Sequence, residues 1–175
     1  LCPSEPFAGP GCGDAPDGSY INFRDIDVFE AGAHKIIANY GRIVAKLRSD
    51  ATQAFVAVTD DNSDARGGQF NPPSTFINEI NRRSAGSPFF KKSKSNNDKG
   101  FVYHSIVWDG TQPSACKASK GEYSMTLSQL TNGYVHNICD ENWAPAFIEI
   151  GKAVASTIKP GCTHSISFPE GVEKP

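Results

Sequence analysis

The sequence predicts one α/β domain built on a parallel sheet. Three observations carry that expectation. Strand-like and helix-like patterns alternate from residue 54 onward, the order that builds strand–helix–strand units. The run Ala54-Phe-Val-Ala-Val-Thr59 is small, β-branched or aromatic without alternation, as in a central strand covered on both faces. Residues 31 to 48 place Ala33, Ile36, Ile37, Tyr40, Val44 and Leu47 at steps of three and four, the stripe of an amphipathic helix.

Taken in order, residues 1 to 18 hold Pro3, Pro6, Pro10 and Pro16 among Gly9, Gly11, Gly13 and Gly18, so they read as a long loop, expected to be pinned by Cys2 and Cys12. Tyr20-Ile-Asn-Phe-Arg-Asp-Ile-Asp-Val28 alternates apolar and polar, as a half-exposed edge strand does. The helix over 31 to 48 follows, weakened by about 1 kcal/mol at Gly41. After the strand at 54 to 59, Ser74 is placed to cap a helix that turns Phe76, Ile77 and Ile80 inward and stops near Ser84-Ala-Gly86. Residues 84 to 100 read as an exposed Ser, Lys, Asn and Gly loop.

Phe101 to Trp108 is a second buried-looking strand, bounded by Asp109-Gly110. Gly121-Glu-Tyr opens a short helix through Leu127 and Leu130, which ends on Asn132-Gly133, a left-handed cap. Tyr134-Val-His-Asn137 is a short third strand. Asp140 is placed to cap a last helix whose inward face is Trp143, Phe147, Ile150 and Val154, ended by Lys159-Pro-Gly161. Thr163 to Phe168 reads as a final edge strand, and residues 169 to 175 as a linker. The expected organisation is a Pro/Gly-rich loop over 1 to 18, an α/β domain over 19 to 168 and a tail over 169 to 175.

A length of 175 residues with 38% apolar content suits one globular core. A net charge of −2 with both signs interspersed gives no field that argues for nucleic acid or an acidic membrane surface. No run of successive apolar residues is long enough for a transmembrane helix. Five cysteines in a chain of this size favour disulfides and an oxidising compartment, hence an extracellular, cell-surface or periplasmic location.

The strand at 54 to 59 runs into Asp60, Asp61, Asn62, Ser63 and Asp64, and open α/β sheets bind ligands beyond the carboxyl ends of their strands. Three readings of that cluster stand side by side. Asp60 alone suits Mg²⁺, which keeps waters and takes one or two carboxylates. Asp60-x-Asn62-x-Asp64 begins like a calcium loop, although Ala65 stands where Gly belongs and Asn71 where the closing Glu belongs. A polar turn with no metal is the third. His104 and His136 fall on successive strands without a third ligand at zinc spacing, which favours structural roles. Ser63 and Ser105 lie in no Gly-x-Ser-x-Gly elbow, so nothing favours a hydrolase.

Phe55-Val-Ala-Val-Thr-Asp-Asp-Asn-Ser-Asp64, Val102-Tyr-His-Ser-Ile106, Gly121-Glu-Tyr123, Leu127-Ser-Gln-Leu-Thr-Asn-Gly133 and Ile138-Cys-Asp140 ahead of a Trp143/Phe147 helix together resemble the later part of a von Willebrand factor type A domain. The likeness runs from about residue 20 to 168 and is nearest to disulfide-bearing secreted or surface proteins of bacteria. It implies a Rossmann-like, doubly wound sheet with helices on both faces and a metal-ion-dependent adhesion site at its upper edge. Asp60 maps onto the site's water-mediated Asp, with Asp61, Asn62 and Asp64 as further candidate donors and Mg²⁺, Ca²⁺ or Mn²⁺ as the ion. The family's Asp-x-Ser-x-Ser motif is not present, and where its Thr or Ser donor belongs the sequence has Val28-Phe-Glu-Ala-Gly32, with Glu30 the nearest oxygen donor.

The resemblance also pairs Cys139 with Cys162 across the last helix, closing a loop worth roughly 3 kcal/mol. Cys116 is left over, either as a free thiol or bonded to another segment. A doubly wound sheet without its first strand leaves ladder groups of its neighbours exposed, so an N-terminal segment or a separate chain is expected to complete it. The function expected is protein binding or adhesion without catalysis, in partnership with a protein ligand or other chains of a surface assembly. A structural component with a metal-free site is the alternative, and a hydrolase using His104 or His136 the weaker one.

Overall fold

A computed structural model describes residues 31–47, 53–62, 70–85, 100–111 and 118–157. The expected strands at 20–28 and 163–168, the loop at 1–18, the tail at 169–175, and Glu30, Ser63, Asp64, Cys2, Cys12, Cys116 and Cys162 lie outside those residues. Within them the chain runs α1 (Ala31–Ala38), α2 (Tyr40–Val44), β1 (Gln53–Val58), α3 (Ser74–Arg83), β2 (Phe101–Val107), α4 (Glu122–Leu130), β3 (Val135–Asn137) and α5 (Ala144–Thr157). The three strands form one parallel sheet in the order β1-β2-β3. No described helix is long and apolar enough to cross a membrane.

Side-chain parity assigns the two faces of the sheet. Phe101 and Tyr103 of β2 join Phe55, Phe76, Ile77, Ile80, Tyr123, Leu127 and Ile37 in the larger core, so α1, α3 and α4 cover the odd-numbered face. Ile106 points the other way and meets Ala146 and Ile150 of α5, with Tyr134, Ile138 and Trp143 around them. Helices therefore cover both faces of the sheet.

Three expectations are corrected. The strand covered on both sides is β2, where six of the seven residues are buried, while β1 stands at the end of the described sheet with Ala54, Val56 and Val58 exposed. The single helix expected over 31 to 48 divides at Asn39, where φ −103 and ψ 16 leave helical values and the side-chain amide donates to the Lys35 carbonyl. A side chain competing for a helical carbonyl is a familiar cause of such a break. In α5 Ile150 turns inward as expected, but its companion is Ala146 and not Phe147, which is 58% exposed; the Val154 side chain is outside those described.

Two caps also differ from expectation. Ser74 is the first helical residue of α3, whose N-cap is Pro73 with no side-chain bond. The α5 entry uses Asn142, whose Oδ1 accepts the Ala144 N–H at 3.1 Å, while Asp140 faces His136. The far end of α3 is tied to α2 by hydroxyls: Tyr40 Oη donates to Ser84 Oγ at 2.8 Å, and Ser84 Oγ donates to the Ile80 carbonyl at 2.6 Å.

The junction from α4 to β3 shows how local sequence places a strand. Asn132 takes φ +58, Gly133 N–H donates to the Ser128 carbonyl at 2.7 Å, and Asn132 N–H to the Gln129 carbonyl at 3.4 Å, which is a Schellman motif. Gly133 is needed for a different reason: a Cβ there would sit 1.7 Å from the Tyr103 carbonyl oxygen. β3 begins too late to pair with Tyr103, and the Thr131 hydroxyl accepts the Tyr103 N–H at 2.9 Å in its place. Gly133→Ala is expected to lower unfolding free energy by about 3 kcal/mol, whereas Asn132→Gly stays within about 1 kcal/mol of the parent. Urea denaturation of the two variants checks this.

Candidate functional site at the carboxyl end of the sheet

The rim begins where β1 ends. Thr59 N–H still reaches the Ile106 carbonyl at 3.2 Å, so the ladder extends one residue past Val58 before the chain turns. The Thr59 hydroxyl then accepts the Asp61 N–H at 3.1 Å, a turn closed by its own side chain. Asp61 Oδ1 accepts the Asn62 N–H at 2.7 Å, and the Asp60 carbonyl accepts the Ser119 N–H at 2.7 Å. Asn62 Oδ1 accepts the Tyr123 N–H at 3.2 Å, in the first turn of α4. That helix has Gly121 as its N-cap, with no side chain to offer, so Asn62 supplies the capping oxygen from 61 residues away.

This division leaves Asp60 distinct. Its side chain is exposed, and its carboxylate has no hydrogen-bond or ion-pair partner among the described residues. Asp61 and Asn62 are half-buried and spend side-chain oxygens on the loop and on α4. No three His, Cys, Asp or Glu side chains converge among the described residues.

A second polar centre lies beyond β2 and β3, and sequence reasoning missed it. Asp109 Oδ1 accepts from the Thr111 N–H at 2.8 Å, the Thr111 hydroxyl at 2.6 Å and Asn137 Nδ2 at 2.9 Å. Asn137 Oδ1 in turn accepts the Cys139 N–H at 2.9 Å. The Asp-x-Thr spacing was the available signal, since it is an Asx turn. Cys139 is disulfide-bonded, and its expected partner Cys162 lies outside the described residues.

The two strand histidines share the even-numbered face of the sheet and are both buried. His104 Nδ1 accepts the Tyr134 N–H at 3.0 Å, so the neutral ring carries its proton on Nε2, which has no hydrogen-bond partner among the described residues. His136 Nε2 lies 3.7 Å from Asp140 Oδ2. Ser105 is also fully buried; its hydroxyl donates to the Ser124 carbonyl at 2.8 Å and sits 2.6 Å from Ser128 Oγ. None of these groups lies open to a substrate.

An open hollow of about 380 Å³ lies between α5 and the entry to β3, lined by Asn132, Gly133, Tyr134, Glu149, Lys152 and Ala153. It sits at the amino ends of the strands, away from the rim, and its Lys152 and Glu149 are paired at 2.7 Å.

Replacing Asn62 by Ala is expected to cost about 1 kcal/mol and to speed exchange of the Tyr123 amide, the signature of an uncapped helix. Burial lowers the His104 pKa from its ordinary 6.5, and charging the ring also requires a proton on Nδ1, which breaks the bond from Tyr134. The unfolded chain then takes up the proton first as pH falls. The His104 contribution is full above about pH 6.5 and is lost below it, with a slope of at most about 1.4 kcal/mol per pH unit. Urea titrations at successive pH values should show that slope, and His104→Asn, whose Oδ1 can still accept the Tyr134 N–H, should remove it.

Comparison with known proteins finds no relative: no family model, no curated protein and no solved structure matches the chain.

Proposed function

We propose that this chain is a non-enzymatic protein-binding module of an extracytoplasmic assembly, and that it meets its partner through the rim that carries Asp60. The supporting observation is the exposed carboxylate of Asp60, which has no partner among the described residues, beside Asp61 and Asn62, whose side-chain oxygens are engaged. Val58, 52% exposed, stands two residues away and adds apolar area to the same end of β1. A lone carboxylate beside an apolar patch suits a cationic group on a partner.

The disulfide at Cys139 supports the oxidising compartment, and the burial of His104, His136 and Ser105 speaks against the hydrolase reading. The likeness to von Willebrand factor type A domains adds a sharper version, in which Asp60 provides one donor to Mg²⁺ and the partner another. A second reading, a structural component whose rim binds no metal, draws on the commitment of the Asp61 and Asn62 side-chain oxygens to the loop and to α4.

Titration of the protein with Mn²⁺, followed by broadening of amide signals, separates the two. Adhesion through a metal predicts broadening centred on residues 59 to 62 and 119 to 123, abolished by Asp60→Asn and competed by Mg²⁺. Assembly without metal predicts no site-specific broadening.

A further inference from the structure

Asn132 and Gly133 form the one Asn-Gly pair in the sequence. Gly has no Cβ to shield its nitrogen, so in this dipeptide that nitrogen has the least hindered path to the neighbouring side-chain amide. Asn132 is exposed, and its side chain has no partner among the described residues. The electrophilic carbon is therefore accessible, while the nitrogen that must reach it is held. Gly133 N–H donates to the Ser128 carbonyl at 2.7 Å, and Asn132 stays at φ +58 in the Schellman motif. Gly133 also lies against the Tyr103–His104 peptide, where a Cβ would stand 1.7 Å from the Tyr103 oxygen and 3.4 Å from the His104 nitrogen. The Asn132–Gly133 peptide cannot turn toward the Asn132 side chain without lifting Gly133 off β2.

We infer that Asn132 is a deamidation site which the closed junction between α4 and β3 silences, and that its side-chain-linked product cannot re-form that junction. The reaction needs only base and water. The Gly133 nitrogen, its proton lost to hydroxide, attacks the side-chain carbonyl carbon of Asn132. One C–N bond forms, the bond to the side-chain nitrogen breaks, and ammonia leaves with a proton taken from water. Water then opens the five-membered imide at either carbonyl. This leaves an aspartyl residue joined to Gly133 through its main-chain carbonyl or through its side chain.

The two products fit the junction differently. The ordinary linkage keeps the backbone as it is, and Asp tolerates the left-handed conformation much as Asn does. The side-chain linkage inserts a methylene into the main chain, adding about 1.5 Å of path between the residue 132 Cα and the Gly133 nitrogen. Gly133 N–H then cannot meet the Ser128 carbonyl while the glycine rests on Tyr103. Two bonds beyond it depend on that placement: Ser105 N–H to the Tyr134 carbonyl at 2.9 Å, and Tyr134 N–H to His104 Nδ1 at 3.0 Å. Because the closed junction protects and the open one reacts, the native rate follows the population of the open form. An opening at the end of α4 is thereby recorded in the covalent chain. The junction lies at the amino ends of the strands, so this chemistry is independent of the Asp60 rim.

Peptide mapping by mass spectrometry tests it on the full chain at mildly alkaline pH, in buffer and in urea, with disulfides left intact. Conversion at Asn132 is expected to be about tenfold or more slower in buffer than in urea. Thr131→Ala, which removes the hydroxyl that accepts the Tyr103 N–H, should raise the rate in buffer about fivefold or more and leave the rate in urea unchanged. Sub-denaturing urea should raise the rate of the parent chain in step with exchange of the Gly133 amide, which needs no substitution. After return to buffer, chains with the ordinary linkage and the Asn132→Asp variant should regain slow exchange at the Tyr103 and Gly133 amides. Side-chain-linked chains, separated by chromatography, should not. Chains held in urea too briefly to react serve as the refolding control. Equal rates in buffer and urea, a rate in buffer indifferent to Thr131→Ala and to sub-denaturing urea, or side-chain-linked chains that regain slow exchange would overturn the inference.

Discussion

The parallel ladder on both sides of β2 is the constraint on which the rest of the structure depends. β2 pairs with β1 from Phe101 to Ile106 and with β3 from Ser105 to Val107, so its backbone is satisfied only while both neighbours stay in register. Buried amides without partners cost roughly 1 to 3 kcal/mol each, so a slipped strand would erase a large part of a small domain's stability. Where the ladder falls short the chain supplies substitutes. The Thr131 hydroxyl takes the Tyr103 N–H, and His104 Nδ1 takes the Tyr134 N–H that β3 begins too late to use.

Packing follows from that frame. On the odd-numbered face the aromatic rings of Phe55, Phe76 and Phe101 meet edge to face, with centroids 5.3 to 6.2 Å apart, and hold α3 against β1 and β2. Helix α4 comes closer. Ser105, Ser124 and Ser128 replace bulk with short hydroxyl contacts, and a Cβ on Gly121 would stand 2.6 Å from that of Val107. The hydroxyls of Ser105 and Ser128 tolerate burial because each has a partner.

Much of this was legible in the sequence. Non-alternating apolar runs located β1 and β2, the Asn132-Gly133 pair located the end of α4, and the stripe from Ala33 to Leu47 is the surface that faces the larger core. The errors have physical causes. The composition of Ala54 to Thr59 records a strand suited to two covered faces, but composition cannot say whether the covering elements lie within these residues. Phe147 was placed inward on spacing alone, whereas the small Ala146 allows α5 to approach Ile106 and turns the ring aside. At the rim, sequence singled out Asp60 to Asp64 as a group but could not divide the work of Asp60, Asp61 and Asn62, since the capping partner of Asn62 is Tyr123, distant in the chain. Asp109 was read only as the turn that bounds β2, because a single Asp before Gly carries no more than that and its third donor comes from Asn137.

The reach of Asn62 to α4 has a mechanical consequence. A surface loop that closes only on itself can drift, and ordering it on contact consumes part of the binding energy. Here the segment beyond β1 is clamped at two points, by Ser119 on the Asp60 carbonyl and by Tyr123 on the Asn62 amide. Asp60 thus stands on a short bridge anchored at both ends, with its charge aimed before any visitor arrives.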